Sequence, residues 1–108
     1  MELLTNEVRQ SLPAMGATED DENVVAMAQV KFFAPDSSWT WYAAEFDGED
    51  IFYGLVDGHE IEFGYFSLQE LQAARGHLGL PIERDLYFTP VPLHALYDEL
   101  KRERCRDF

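Results

Sequence analysis

The stretch FDGEDIFYGLVDGHEIEFGYF, Phe46 to Phe66, carries two Asp-Gly pairs ten residues apart, each set between runs of β-branched and aromatic residues. Asp-Gly in that setting is a strong short-range hairpin signal, because a type I′ turn needs positive φ at both central positions. Three strands follow: WTWYAAEF (39–46), IFYGLV (51–56) and EIEFGYF (60–66), joined by tight turns at Asp47-Gly48 and Asp57-Gly58. VVAMAQVKFF (24–33) has the same strand-like content. APDSS (34–38) reverses the chain after it, with proline and aspartate suited to a turn.

The period changes outside this block. In LTNEVRQSLPAM, Thr5 or Asn6 can cap a short helix over 5–12, with Val8 and Leu12 four apart and Pro13 ending it. Ser67 and Glu70 form a capping box for a helix over 67–76, closed by Gly76 and Gly79. LPIERDLYFTPVPL (80–93) is extended and broken by proline, with room for one short edge strand at 85–88. Leu93, Leu96, Tyr97 and Leu100 repeat with helical spacing in a closing helix. The expected fold class is α+β: an antiparallel β-meander of about four strands with two or three helices packed mainly on one face. With 108 residues, 46% of them hydrophobic, and no linker, residues 1–100 form one compact domain followed by a basic tail, 101–108.

Turn length decides which side chains share a face. Two-residue turns put Trp39, Trp41, Ala43, Phe52, Gly54, Val56, Ile61, Phe63 and Tyr65 on an apolar face, with helix 67–76 as its cover and the C-terminal helix as a further one. They put Thr40, Tyr42, Ala44, Ile51, Tyr53, Leu55, Glu60, Glu62 and Phe66 on a mixed one. Three-residue turns would exchange the assignments. Tyr42, Tyr53 and Glu62 then lie side by side, either as a polar-aromatic ligand face or, more plainly, as cross-strand pairs on a half-solvated sheet.

Charge is the least ordinary global feature. Twenty-one acids against eight bases give a formal net charge of −13, and the last eight residues hold four of the bases. Such a body repels nucleic acid and is drawn to basic surfaces, including those of nucleic-acid-binding proteins. The plainer role of acidity is solubility. Glu19 to Glu22 form an acidic run without the oxygen spacing of a calcium loop.

Chemistry-bearing clusters are weak. Asp47, Glu49, Asp50 and Asp57 sit on turns at opposite ends of one strand, so they do not converge on a metal. His59, His77 and His94 show no ligand spacing, and GHLGLP lacks the lysine of a phosphate loop. Trp39 and Trp41 suit a core better than base stacking in a chain this acidic. No catalytic residue, metal or cofactor is assigned. A lone cysteine, Cys105, no apolar run near the ~20 residues of a membrane span, and a start without signal-peptide character point to a cytoplasmic protein.

VKFFAPDSSWTWYAAEFDGEDIFYGLV, GYFSLQELQAARG and GLPIERDLYF resemble the bacterial domain-of-unknown-function family 2958. The W-T-W-Y, E-F-D-G, G-Y-F-S-L-x-E-L and L-P-I-E-R-D blocks are specific as a set, from the first helix to about residue 93. The resemblance implies a small protein of the kind carried on plasmids, phages and integrative elements. It brings no activity and so no catalytic residues.

Within L-P-I-E-R-D, Arg84 reads as a structural guanidinium paired to Glu45 or Glu62, or as a ligand clamp. The leading functional expectation is a non-enzymatic, acidic interaction protein. It would engage a basic protein surface through Glu45, Asp47, Glu49, Asp50, Asp57, Glu60 and Glu62, and an anti-defence inhibitor or nucleic-acid mimic is one version. The alternative is a ligand-binding module or minor enzyme on the Tyr42/Tyr53/Glu62 face with Arg84. The protein would be a monomer, or a homodimer through a strand such as 24–33.

Overall fold

The computed structural model describes residues 2–18 and 25–106. Along the chain it forms α1 (Asn6–Ser11), β1 (Met27–Ala28), β2 (Val30–Phe33), β3 (Thr40–Phe46), β4 (Ile51–Asp57), β5 (Ile61–Ser67), α2 (Leu68–Ala73), β6 (Glu83–Arg84), β7 (Val91–Pro92) and α3 (Leu93–Arg106). The fold is α+β. A five-stranded antiparallel sheet runs β5-β4-β3-β2-β6, and β1 and β7 form a separate two-stranded ribbon. The meander is therefore β2 to β5, with β6 added beside β2. The Glu19–Glu22 run lies outside the described residues.

Local chemistry sets the helix starts. Thr5 accepts from the Val8 N–H at 3.2 Å, and Ser67 from the Glu70 N–H at 3.2 Å. α2 stops at Ala73, short of Gly76, and Arg75 donates to the carbonyls of Gln72 and Ala74 at 3.0 and 2.7 Å. Gly79, at φ +82°, then closes a turn by donating to the Gly76 carbonyl.

Neither Asp-Gly pair forms a two-residue type I′ turn. Four residues, 47–50, separate β3 from β4, and three, 58–60, separate β4 from β5. Gly48 has φ +91°, but Gly58 lies outside the positive-φ region. Gly58 is required for space instead, since a Cβ there would fall on the Trp39 ring. The three-residue loop gives the register Val56↔Glu62, Leu55↔Phe63 and Tyr53↔Tyr65. The β3 and β4 face assignments stand, whereas those of β5 are exchanged, because side chains alternate with period two.

A register shift between Ala43 and Glu45 brings Phe46 opposite Phe52. Phe46, Phe52 and Phe66 then stack across three strands, with centroids 4.7 and 5.2 Å apart. Phe32 and the apolar residues of α1, α2 and the N-terminal Leu3 and Leu4 join them in the first core. The opposite face is also buried. Tyr42, Ala44, Leu55 and Ile61 pack under Leu93, Leu96, Tyr97 and Leu100 of α3, with the β1–β7 ribbon beside them. Two helices thus cover one face, and α3 covers the face expected to be half-solvated.

The closing helix, expected over LHALYDELKRER (93–104), runs on to Arg106 as α3. Two segments differ from their sequence-based placement. The strand expected at 85–88 is β6 instead, pairing Glu83 and Arg84 with Phe33 and Phe32. Strand 24–33 divides at Gln29, and its larger part, β2, is interior to the sheet, so it offers no edge for a dimer.

Candidate functional site

The turn carboxylates have mostly internal partners. Asp47 Oδ1 accepts the N–H groups of Glu49, Asp50 and Ile51 at 2.8, 2.8 and 3.0 Å, which hold its carboxyl below the ordinary aspartate value. Asp50 accepts the Gln69 N–H at 2.8 Å and the Ser67 hydroxyl at 2.6 Å, placing a negative charge at the start of α2. Asp57 pairs with Arg104 at 2.5 Å. Arg9 closes the first turn from outside by donating to the Gly48 carbonyl at 2.7 Å.

Glu45 is buried, at 1% exposure. Burial alone would raise its carboxyl, but the Thr18 hydroxyl and the N–H groups of Gly16 and Thr18 outweigh it and hold the value low. Its position in the bulge turns it under the 14–18 loop rather than toward a partner. Of the seven acids expected on a docking surface, Glu49, Glu60 and Glu62 are exposed and have no such ties among the described residues. Glu49 lies at the far end of β4 from the other two, about 20 Å away at strand rise.

The alternative ligand face does not assemble. Tyr42 is buried, 5.8 Å from the Phe88 ring, with the Lys31 ammonium 5.9 Å from its own ring. Burial, helped by the charge of Asp57, pushes its hydroxyl up to about 12. Tyr53 contacts Tyr65 at 5.2 Å on the same face, whereas Glu62 projects from the other. Arg84 donates to the carbonyls of Glu2 and Leu3 at 3.2 and 3.1 Å, anchoring the N-terminal segment. Its expected partner Glu45 is saturated by the 14–18 loop.

Glu60 and Glu62 do converge on a cleft. It has a volume of about 440 Å³ and wraps around β5, with Trp39, Val56, Gly58, His59 and Gly64 on its walls beside Phe63 and Tyr65. Trp39 is held by an edge contact to His59 at 5.2 Å and by Trp41 at 5.9 Å. Tyr65 is 64% exposed. Acid, aromatic and imidazole groups therefore meet at an open sheet edge, an arrangement suited to cations and to main-chain pairing. The sequence reading had both acids but not the cleft, because two-residue turns set Glu62 on the sheet face away from Trp39. The signal that identifies the cleft is a three-residue loop, which Gly58-His59-Glu60 permits.

Among the described residues, no three His, Cys, Asp or Glu side chains gather as a metal site. No helix there is long and apolar enough to cross a membrane. A family model described as "Protein of unknown function (DUF2958)" matches residues 3–104, taking in α3 as far as Arg104. No curated protein and no solved structure matches.

Proposed function

We propose that this chain, which belongs to the DUF2958 family, is a non-enzymatic acidic protein that binds a basic surface on another protein. What carries the reading is how its few bases are engaged. Arg9, Arg75 and Arg84 donate to the protein's own main-chain carbonyls, Arg104 divides its fork between carbonyls and Asp57, and Lys31 pairs with Asp85. A guanidinium that satisfies carbonyls holds the fold together but leaves carboxylates elsewhere without a neutralising partner. Glu60 and Glu62 are in that state, beside exposed Tyr65 and the Trp39 wall of the cleft. Nucleic-acid-binding proteins are the partners whose surfaces are most basic, so an inhibitor that occupies such a surface is the version favoured. A continuous imitation of a phosphate backbone has less support, because Asp47, Asp50, Asp57 and Glu45 are engaged internally.

The test is affinity purification from the native host with the wild-type chain and a Glu60→Gln/Glu62→Gln variant, washed at low and high salt. Basic partners released by salt and lost from the variant are the expected result. Retention that is indifferent to both, or no retained partner, overturns the proposal.

A further inference from the structure

We propose that the outer edge of β5 accepts an extended, basic peptide segment of a partner protein as a sixth strand of the sheet. The inference rests on the reading of a basic partner and adds how that partner docks. The Leu68 N–H donates to the Asp50 carbonyl at 2.8 Å, and the Gly58 N–H to the Glu60 carbonyl at 3.1 Å. These two bonds bracket the β4–β5 ladder, whose register pairs Gly54 with Gly64. Main-chain groups alternate in direction along an antiparallel strand. Glu62, Gly64 and Phe66 therefore point theirs toward β4, and Phe63 and Tyr65 point theirs away from the sheet. Among the described residues, no strand pairs with that side of β5.

The two edges of the sheet are treated differently. β6 is two residues long, charged at both, and follows Pro81-Ile82, the usual means of blunting an edge. β5 is seven residues long with Glu62 as its one charge. Gly64 leaves open space over the Trp39 face of the strand, with nothing near where a Cβ would stand, so side chains of an added strand meet no obstacle there.

Charge selects the occupant. A second copy would bring another body of net charge −13 and set its own Glu60 and Glu62 near the first pair. A basic segment meets opposite charge instead. Strands added to a sheet share its faces, so alternate residues of the incoming segment would lie beside Glu62 on the Trp39 side. The intervening ones would lie beside Phe63 and Tyr65. The chemistry recognised is thus a short extended run with Lys or Arg at every second position and apolar residues between.

The experiment selects short random peptides displayed on phage against the immobilised full chain. It then measures the enriched peptides by fluorescence anisotropy on wild type, Tyr65→Pro and Glu62→Gln. Proline at residue 65 removes an outward N–H and leaves the β4 ladder intact, so folding is retained. Expected are peptides with alternating basic residues and affinity reduced about tenfold by Tyr65→Pro. Slowed hydrogen exchange at the Phe63 and Tyr65 amides of the wild type, on peptide binding, is a readout that needs no variant. Basic peptides bound equally by Tyr65→Pro, with unchanged exchange at those amides, overturn the edge docking and leave the acidic-surface reading standing. Peptides without basic bias, or no enrichment, overturn both. A concentration-dependent dimer in sedimentation, abolished by Tyr65→Pro, assigns the edge to a second copy and overturns the inference.

Discussion

Arg104 of α3 holds the Asp57 carboxylate at 2.5 Å and the carbonyls of Gly58 and His59 at 2.8 and 2.7 Å. One side chain near the end of the chain thereby clamps the loop that sets the register of β5. Both charged groups are partly exposed, so solvent screening reduces the ionic part of the interaction. Arg104→Ala is expected to lower stability by about 1–2 kcal/mol in urea unfolding and to speed hydrogen exchange in the 58–60 loop. Arg104→Lys should recover little, because an ammonium lacks the planar fork that reaches three oxygens. Full recovery by lysine would show that charge alone is at work.

Glu45 links the fold to acid. Its folded carboxyl lies below the ordinary 4.5 through bonds from Thr18 and Gly16. A depressed carboxylate contributes stability that is complete above the unfolded value and is lost as pH falls through the folded one. Wild type should therefore lose stability below about pH 4.5 more steeply than Glu45→Gln, as read in urea midpoints across pH. At neutral pH the same substitution should cost about 2 kcal/mol, the scale of charge-assisted hydrogen bonds.

Tyr42 makes the opposite prediction at the alkaline end. Its hydroxyl ionises near 10 when the chain is unfolded and at about 12 in the fold, mainly through burial. The unfolded state loses the proton first, so stability is complete below pH 10 and declines as pH rises toward 12. Tyr42→Phe should flatten that decline, and the ultraviolet titration of the remaining tyrosines should lose its highest-pH component.

Phe52 is fully buried between Phe46 and Phe66 and also contacts Phe32. Phe52→Ala removes the middle of that stack and should cost about 3–5 kcal/mol by cavity formation. A loss under about 1 kcal/mol in chemical unfolding would mean the neighbours collapse into the space.

Gly54 has no room for a side chain, since a Cβ would fall on the Tyr42 carbonyl oxygen. Gly54→Ala should force β3 and β4 apart and lower the melting temperature, whereas Gly64→Ala on the neighbouring strand meets open space and should have little effect. Equal effects at the two positions would mean that β propensity, rather than contact, controls them.

What sequence reading reaches here follows from the range of each interaction. Thr5 and Ser67 cap their helices through bonds three residues long, so the helix starts were legible. The Asp-Gly pairs located both chain reversals, but not their loop lengths: the Trp39 ring over Gly58 is distant in sequence, and the local Asp47 cap on three N–H groups closes a four-residue turn where an Asp-Gly pair suggests a two-residue one. The ribbon joins Met27 to Pro92, a pairing that no local pattern announces and that a proline argues against in a periodicity reading. Glu45 stands among strand residues like any exposed acid, and only the bulge turns it inward. The faces of β5 differ from the two-residue reading because one residue of loop length inverts every side chain after it.

That last dependence has an evolutionary corollary. Gly58, His59 and Glu60 form a loop whose odd residue count puts Phe66 with Phe52 and Glu62 beside the cleft. Losing or gaining one residue there would bury the glutamate and expose the phenylalanine without altering any other position. Insertions and deletions in this hairpin should survive in relatives only in pairs, so loop length behaves as a parity bit inherited alongside the sequence.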